Sequence, residues 1–396
     1  MTRILLLDPS LSDEKSHHFS AASALLNEAS SLRIPCLLYC NRNASERVRQ
    51  LPATPHFSVG GYFGRADGEA AFRTASQANA GLLLDLMKLN GQVRRDDFVL
   101  FPTVTANMVL AICQWIAGFP PADQPRFGLC LMFPPDWHPS GRISETLEQF
   151  FHAGFGFLKP EHKQRMVFTC EIQGLSDIYE QLLEVAPLVM PVTLDTAATP
   201  RVAPPDTETP TLTYVGYAKW EKGTHLLPDI VTAVRARCPQ VRFVIHLMAH
   251  HSDLIERLRA RLTGHGDAMT ILEGSLPRSE YRELLCRSSL ILMPYNARTY
   301  RHRGSGVYTD ARLLGIPVIA PADTDIGNEA RKIGMAVTFD AFTADSVAAA
   351  IVEAVARLPQ LSAAAAMEAS STRQSAGNYL EALLERLAQG PVTATR

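Results

Sequence analysis

Three arginines, one histidine and a serine between two glycines crowd the stretch Arg298-Thr-Tyr-Arg301-His302-Arg303-Gly304-Ser305-Gly306. A helix-like run follows, and Ser305 is placed to cap it. Guanidinium groups are planar forks that match phosphate, and glycine N–H groups beside a helix start can form an anion-binding nest. Capping alone needs one such side chain, so the surplus of cations points to an anionic ligand. The alternative is a capped helix under a basic surface loop. Asp310 falls inside the helix, where a carboxylate can accept hydrogen bonds from sugar hydroxyls. A second stretch of the same character lies upstream. In YVGYAKWEKGTHLL a strand ends at Gly216, a loop carries Lys219, Glu221, Lys222 and Gly223, and a helix begins near Thr224. A helix N-terminus, a glycine and a lysine together suit an anion, although a plain turn with solvated lysines has the same composition. The Walker pattern GxxxxGK[ST] is absent.

The elements that would position these loops read as alternating strands and helices. Buried strands are expected at RILLLDP (3–9), IPCLLYCN (34–41), DFVLFPT (97–103), FGLCLMF (127–133) and RMVFTCE (165–171), with helices at 18–32, between the third and fourth of these strands, and at 175–185. Then TLDTAATPRVAPPDTETPT (193–211) offers prolines, alanines and threonines with almost no large apolar residue, the composition of a linker. The alternation restarts with strands at 212–218, 241–249, 269–275 and 290–296, followed by IPVIAPA, and with helices at 225–238, 254–264 and 278–289. Helices at 345–358 and 376–390 close the chain. The pattern predicts an α/β chain of two doubly wound parallel sheets, each binding ligands at the C-terminal ends of its strands.

These motifs resemble the donor half of the retaining GT-B glycosyltransferases, the group that includes glycogen synthase, sucrose synthase and many bacterial polysaccharide enzymes. The family holds a nucleotide-sugar diphosphate on a Gly-Arg…Lys-Gly loop, and VGYAKWEKG matches it at Lys222 and Gly223, with Tyr217 in place of the arginine. The family also carries two glutamates eight apart ahead of Ala-x-x-x-Gly-x-Pro-Val. Here DARLLGIPVIA matches the later part, Asp310 takes the second glutamate's place, His302 the first, and Gly-Ser-Gly replaces the usual Gly-Phe-Gly. Specific likeness runs over about 210–340, and residues 1–195 fit only in pattern.

The resemblance implies two Rossmann-like (GT-B) domains facing across a cleft: an acceptor domain over 1–195, a linker over 196–211, a nucleotide-sugar domain over 212–375 and a final helix over 376–396 that packs back on the first domain. It implies transfer of a sugar from a nucleotide diphosphate sugar to a glycan or lipid-linked acceptor in surface polysaccharide or glycoconjugate synthesis, with retention and without a metal. No cofactor is expected beyond the donor. The donor-binding set is Gly216, Tyr217, Lys222, Arg301, Arg303, Gly304, Ser305, Gly306 and Asp310, with Lys219, Arg301 or Arg303 standing in for the missing arginine. The missing arginine and glutamate keep open a catalytically inactive nucleotide-sugar binder or accessory subunit.

The first half offers fewer anchors. Ser16, His17 and His18 stand in a loop just before the first helix, and one of these histidines is expected near the acceptor hydroxyl. Asp136, Trp137 and His138 follow a strand in FPPDWHPSG and can line a sugar site, or simply form a stiff proline turn. Glu171 ends its strand at the same edge. With His302, the residues expected nearest the chemistry are His18 and Asp136.

Bulk properties bound the partners. A length of 396 residues calls for two domains, and a formal net charge of −2 makes the whole molecule a poor nucleic-acid binder. Seven cysteines without CxxC spacing read as buried free thiols of a reducing cytoplasm. The segment MTRILLLDPS is too short in apolar residues to act as a signal peptide, and no apolar run reaches the ~18 residues of a span. The expected location is cytoplasmic, with peripheral contact at the inner membrane face left open. His246, His250 and His251 lack partners for a metal set and are read as structural. RNASERVRQ (42–50) is read as a solvated helix face, with contact to an anionic membrane as the alternative.

Overall fold

The apolar runs become the parallel strands of two separate sheets in the computed structural model, which describes residues 2–14, 17–62, 68–138, 142–190, 206–248, 252–376 and 378–390. Chain contacts divide the molecule into two units, one of residues 1–196 with 375–396 and one of 197–374.

In the first unit the strands are β1 (Ile4–Leu7), β2 (Cys36–Asn41), β3 (Ala53–Phe57), β4 (Phe98–Phe101), β5 (Arg126–Cys130), β6 (Met166–Cys170) and β7 (Leu188–Val189). They form one sheet in the order β3-β2-β1-β4-β5-β6-β7, every pair parallel. β1 sits centrally, with Ile4 opposite both Cys36 and Phe98, and all four of its residues are buried. This is why RILLLDP reads as a continuous apolar run, since a strand covered on both faces has no polar side. β3 gives no such signal. It lies at the sheet edge, carries Pro55, and buries only Phe57 fully, as an edge strand tolerates. The helix Gly68–Met87 is also absent from the sequence reading; its buried face mixes Ala71, Ala75 and Ala78 with polar Asn79 and Asp85, and only Leu82 and Leu86 are large apolar residues. The basic run near residue 45 contains only the short helix Glu46–Arg49, capped by Ser45 and anchored by buried Val48. The last helix, Tyr379–Gln389, belongs to this unit and inserts Tyr379, Leu380 and Leu383 among Leu6, Leu25, Leu38 and Val167.

In the second unit the strands are β8 (Thr211–Tyr217), β9 (Arg242–Met248), β10 (Met269–Glu273), β11 (Leu290–Leu292), β12 (Val318–Pro321) and β13 (Ala336–Phe339), ordered β10-β9-β8-β11-β12-β13 and again all parallel. Tyr214, Phe243 and Ile245 of the sheet pack with Ile230, Val347 and Ile351 of the covering helices. The linker expected over 196–211 lies outside the described residues up to 205. Beyond it, Asp206 accepts the N–H groups of Glu208 and Thr209 in a turn, and Thr211 already opens β8.

All seven cysteines are free thiols. His246 is buried, with its Nε2 2.8 Å from the Gly274 carbonyl oxygen. His250 and His251 lie outside the described residues, and no cluster of metal-ligand side chains occurs among those described. No single described helix is long and apolar enough to cross a membrane.

Candidate functional site

In the second unit, the loops after β8 and β11 meet. β8 ends at Gly216, whose φ of +129° suits glycine, and a methyl group there would lie 3.1 Å from the Lys222 Nζ. Lys222 is carried on a single 3-10 turn, Trp220–Lys222, that stops at Gly223. Gly223 has φ +68°, and a Cβ on it would fall 2.0 Å from the Pro294 carbonyl oxygen. No other residue lets these two loops approach so closely. Thr224 locks the turn, its hydroxyl bonded to Tyr214 Oη at 2.7 Å and to both main-chain groups of Lys219. The Asn296 N–H donates to the Glu221 carbonyl at 2.8 Å, tying the second loop to the first.

That tie brings the two halves of the cradle together. Lys222 Nζ stands 5.6 Å from the centre of the Tyr295 ring. The Tyr295 hydroxyl is 3.3 Å from the Ser305 hydroxyl, which also accepts the Tyr308 N–H and so caps the helix Gly306–Leu314. Arg303 stacks on the Tyr300 ring at 4.3 Å, and the Tyr295 and Tyr300 rings pack at 4.3 Å. Burial, aided by the charges of Lys219 and Arg303, pushes the Lys222 amine down to about 8. A lysine depressed by crowding and like charge regains its full charge when an anion arrives. A Cβ on Gly306 would meet nothing within 4 Å, so open space faces the helix start. The Tyr308 N–H is taken by the Ser305 cap, and the N–H groups of Gly306 and Val307, ahead of the first intrahelical bond, face the opening where an anion can reach them.

The remaining expected donor residues are arranged less directly. Arg301 is exposed, and its carbonyl accepts the Asp325 N–H; Arg303 is therefore the guanidinium that shares the field of Lys222. Gly304 lies between Arg303 and the cap. Tyr217 is 40% exposed, and Lys219 pairs with Glu221 at 3.8 Å. His302 turns to Asp325 (Nδ1 to Oδ2, 3.0 Å), which itself opens the helix Asp325–Ile333. Asp310 accepts the Tyr281 hydroxyl at 3.1 Å, and burial pushes its carboxyl up to about 6. Among the described residues the second carboxylate oxygen has no hydrogen-bond partner. Tyr281, Tyr295 and Tyr300 were not singled out in the sequence, although two of them sit in the polar loop PYNARTY, where large aromatic residues have no reason to be unless they pack.

In the first unit, Asp8 at the end of β1 pairs with His18 Nδ1 at 2.8 Å, both side chains nearly fully buried. The pair puts the proton on Nδ1 and leaves Nε2 as an acceptor. No hydrogen-bond partner for Nε2 exists among the described residues, and the His17 and Tyr62 rings cover it at 4.1 and 5.4 Å between centroids. The structure thus corrects the expectation of a loop histidine: His18 lies inside the helix His17–Ser31 and is sealed, while His17 at its first residue is exposed to solvent. Its ring packs on the His18 ring at 4.1 Å between centroids, and its Nε2 lies 3.4 Å from the Tyr62 hydroxyl. Ser16 lies outside the described residues. Trp137 stacks on Phe133 at 4.0 Å, His138 is buried, and the Asp136 carbonyl accepts the Ser144 N–H at 2.7 Å. This loop is thereby folded on itself, with Asp136 half-buried. Glu171 follows β6, and burial pushes its carboxyl up to about 7.

Two parallel Rossmann-like sheets, with anion-type loops at the C-terminal ends of the strands in one of them, define the architecture of the GT-B type. The chain is similar in structure to Anabaena HepE in complex with UDP (13% identity, 97% of this chain and 99% of that one, TM-score 0.64). It is likewise similar to sucrose-phosphate synthase of Thermosynechococcus elongatus (13% identity, 98% and 100% covered, TM-score 0.68) and to the E. coli trehalose-6-phosphate protein bound with UDP-2-fluoro glucose (11% identity, 98% and 100% covered, TM-score 0.68). No family model matches the sequence, and no curated protein is similar to it in sequence. Likeness at such identity shows the fold.

Proposed function

We propose that this chain is a glycosyltransferase that moves a sugar from a nucleotide diphosphate sugar to a hydroxyl of a glycan or lipid-linked acceptor, with retention, in surface polysaccharide or glycoconjugate synthesis. The observation that carries the reading is the convergence of Lys222, Arg303 and the Ser305-capped helix start on one open spot at the strand ends. Negative charge grows on the diphosphate as the bond to the sugar stretches. Donors already fixed in place stabilise that charge without reorganising. Lys222 and Arg303 supply the counter-charge that a metal supplies elsewhere, and Gly216 leaves room for the amine. Asp310 holds the ribose through its free oxygen, with Tyr281 fixing its rotamer. In the first unit, Asp8 and His18 brace His17, the imidazole that meets the acceptor. The solved structures of the same fold bound with UDP and with UDP-2-fluoro glucose support a uridine diphosphate sugar as the first donor to try. The enzyme is expected in the cytoplasm, in peripheral contact with a membrane when its acceptor is a lipid.

A second reading, a nucleotide-sugar binder without turnover, is favoured by His302, which stands where the resembled family has a glutamate and is paired with Asp325. Both readings predict ligand binding, and only the first predicts turnover. Melting curves with UDP, GDP, ADP and dTDP, with and without magnesium, test the site, because a ligand of the native state alone raises its stability. A flat response to all four at millimolar concentration removes both readings. Release of UDP from UDP-sugars then separates them, and the anomeric configuration of the first product settles retention.

A further inference from the structure

Neighbouring strands β2, β1, β4, β5 and β6 of the first sheet are each entered past arginine. Arg33 lies in the turn before β2, Arg3 directly precedes β1, and Arg94 and Arg95 stand in the loop before β4. Arg126 opens β5, and Arg165 directly precedes β6. Backbone hydrogen bonds line these entries up along one edge. The Ile4 N–H donates to the Pro35 carbonyl, Phe98 to Arg3, Arg126 to Asp97 and Phe127 to Arg165. With strands about 4.8 Å apart, the row spans roughly 19 Å. Among the described residues only Arg3 has a carboxylate partner, Asp97 at 2.7 Å. Arg126 donates to the Asp96 carbonyl and the Thr2 hydroxyl, and Arg165 to the Arg95 carbonyl. Those bonds staple the loops and leave the charge in place. Arg33, Arg94 and Arg95 are exposed, and no described residue hydrogen-bonds their side chains. Burial and the charges of Arg95 and Arg126 push the Arg165 guanidinium down, partly offset by Asp96. Besides Asp97, the carboxylates among residues 32–35, 94–97, 118–126 and 164–165 are Asp96 and Asp123, so cations are in surplus along the edge.

No large apolar side chain is exposed among the same residues. A stable protein partner needs an apolar core to its interface, and a nucleic-acid strand needs aromatic rings to stack its bases. An anionic bilayer surface needs neither, because headgroup charge alone holds a polybasic patch. We propose that this arginine edge docks the first unit on a membrane surface rich in anionic phospholipid, by charge alone. The bilayer then lies at the end of the sheet opposite the ligand loops, which stay open to solvent. The basic run 42–50, the rival face, follows β2 and so stands at the ligand end instead. The contact does not rest on the glycosyltransferase reading and needs no lipid acceptor.

The test is flotation of the full chain, without nucleotide, on vesicles of phosphatidylcholine alone or with about 30% phosphatidylglycerol, in roughly 50 mM and 500 mM salt. Binding is expected only to the anionic vesicles and only at low salt. Each cation at such a surface is worth about fivefold in partitioning, so Arg94→Glu with Arg95→Glu should lower it about 25-fold or more. Arg33→Glu, at another strand entry, should lower it about fivefold or more. Both positions are exposed, and the melting points and UDP-induced melting shifts of these variants should match the parent. Arg47→Glu with Arg49→Glu should leave partitioning unchanged. Absence of binding to anionic vesicles at low salt overturns the proposal, as does equal binding to neutral vesicles or binding that survives high salt. Loss of binding in the Arg47 and Arg49 variant, with none in the Arg94 and Arg95 variant, also overturns it. Arginine-dependent vesicle binding in a protein that binds no nucleotide removes the glycosyltransferase reading and leaves this surface standing; nucleotide binding without vesicle binding does the reverse.

Discussion

Lys222→Met should make the protein more stable and less able to bind a nucleoside diphosphate. Lys222 is half-buried beside Lys219 and Arg303, and its amine is pushed from 10.5 to about 8. A depressed lysine loses protons on folding, so its cost is fully present below the folded value and fades as pH rises from about 8 to 10.5. The full shift corresponds to roughly 3 kcal/mol at 1.36 kcal/mol per pH unit, and water reaching the amine lowers this to about 1–3 kcal/mol. Methionine fills a similar volume without charge. At pH 7 the ligand-free variant should melt roughly 2–10 °C above the parent for a unit of this size, and the gap should close by pH 10.5. Binding moves the other way. One charge-assisted hydrogen bond to phosphate is worth about 1.5–3 kcal/mol, so affinity should fall roughly 10- to 150-fold. In the parent, affinity should also decline above pH 8, where the free amine loses its proton. Melting curves from pH 7 to 10.5 and UDP titrations of both proteins make the comparison. A variant that melts below the parent at pH 7, or that binds the nucleotide equally well, refutes the reasoning.

Three further perturbations follow from the same geometry. Gly223→Ala puts a methyl group 2.0 Å from the Pro294 carbonyl oxygen at φ +68°; at least about 2 kcal/mol of stability should be lost, read as a lower melting point together with weaker nucleotide binding. Asp310→Asn should flatten an acid-side dependence: with the carboxyl raised from 3.8 to about 6, this group's stability is present below 3.8 and is lost as pH rises through 6. The variant should therefore gain stability at pH 7 in a melting series and lose discrimination between ribo- and 2′-deoxynucleoside diphosphates. Tyr379→Phe deletes hydrogen bonds to Cys130 and Thr169 and should cost about 1–3 kcal/mol, measured by urea unfolding of the full chain.

Both parallel sheets were legible because strands buried on both faces are written as unbroken apolar runs, as in ILLL of β1 and LIL of β11. β3 and the helix Gly68–Met87 were not, because an edge strand with a proline and a helix with alanine and polar residues on its buried face carry little apolar contrast. In the candidate site, the charged members announced themselves by type: Lys222, Arg303 and the Ser305 cap all stand out in the chain. Their scaffold did not. Tyr295, Tyr300 and Tyr281 are defined by what they touch, and the meeting of the Lys222 loop with Tyr295 of the later loop leaves no local trace in the chain. His18 shows the same limit. A polar pair before a helix reads as accessible, yet Asp8, ten residues earlier, draws its ring into the interior.

The return of the last helix to the first unit also orders events during synthesis. The seam that Tyr379, Leu380 and Leu383 fill, among Leu25, Leu38 and Val167, stays open while the intervening ~180 residues of the second unit are made, roughly 10–40 s at ribosomal speed. For that interval the first unit exists without its closing piece, with an apolar strip facing the nascent chain and its surroundings. Assembly of the molecule is therefore finished at its first-made half, and the time taken to translate the second half sets how long that strip must be kept from aggregating.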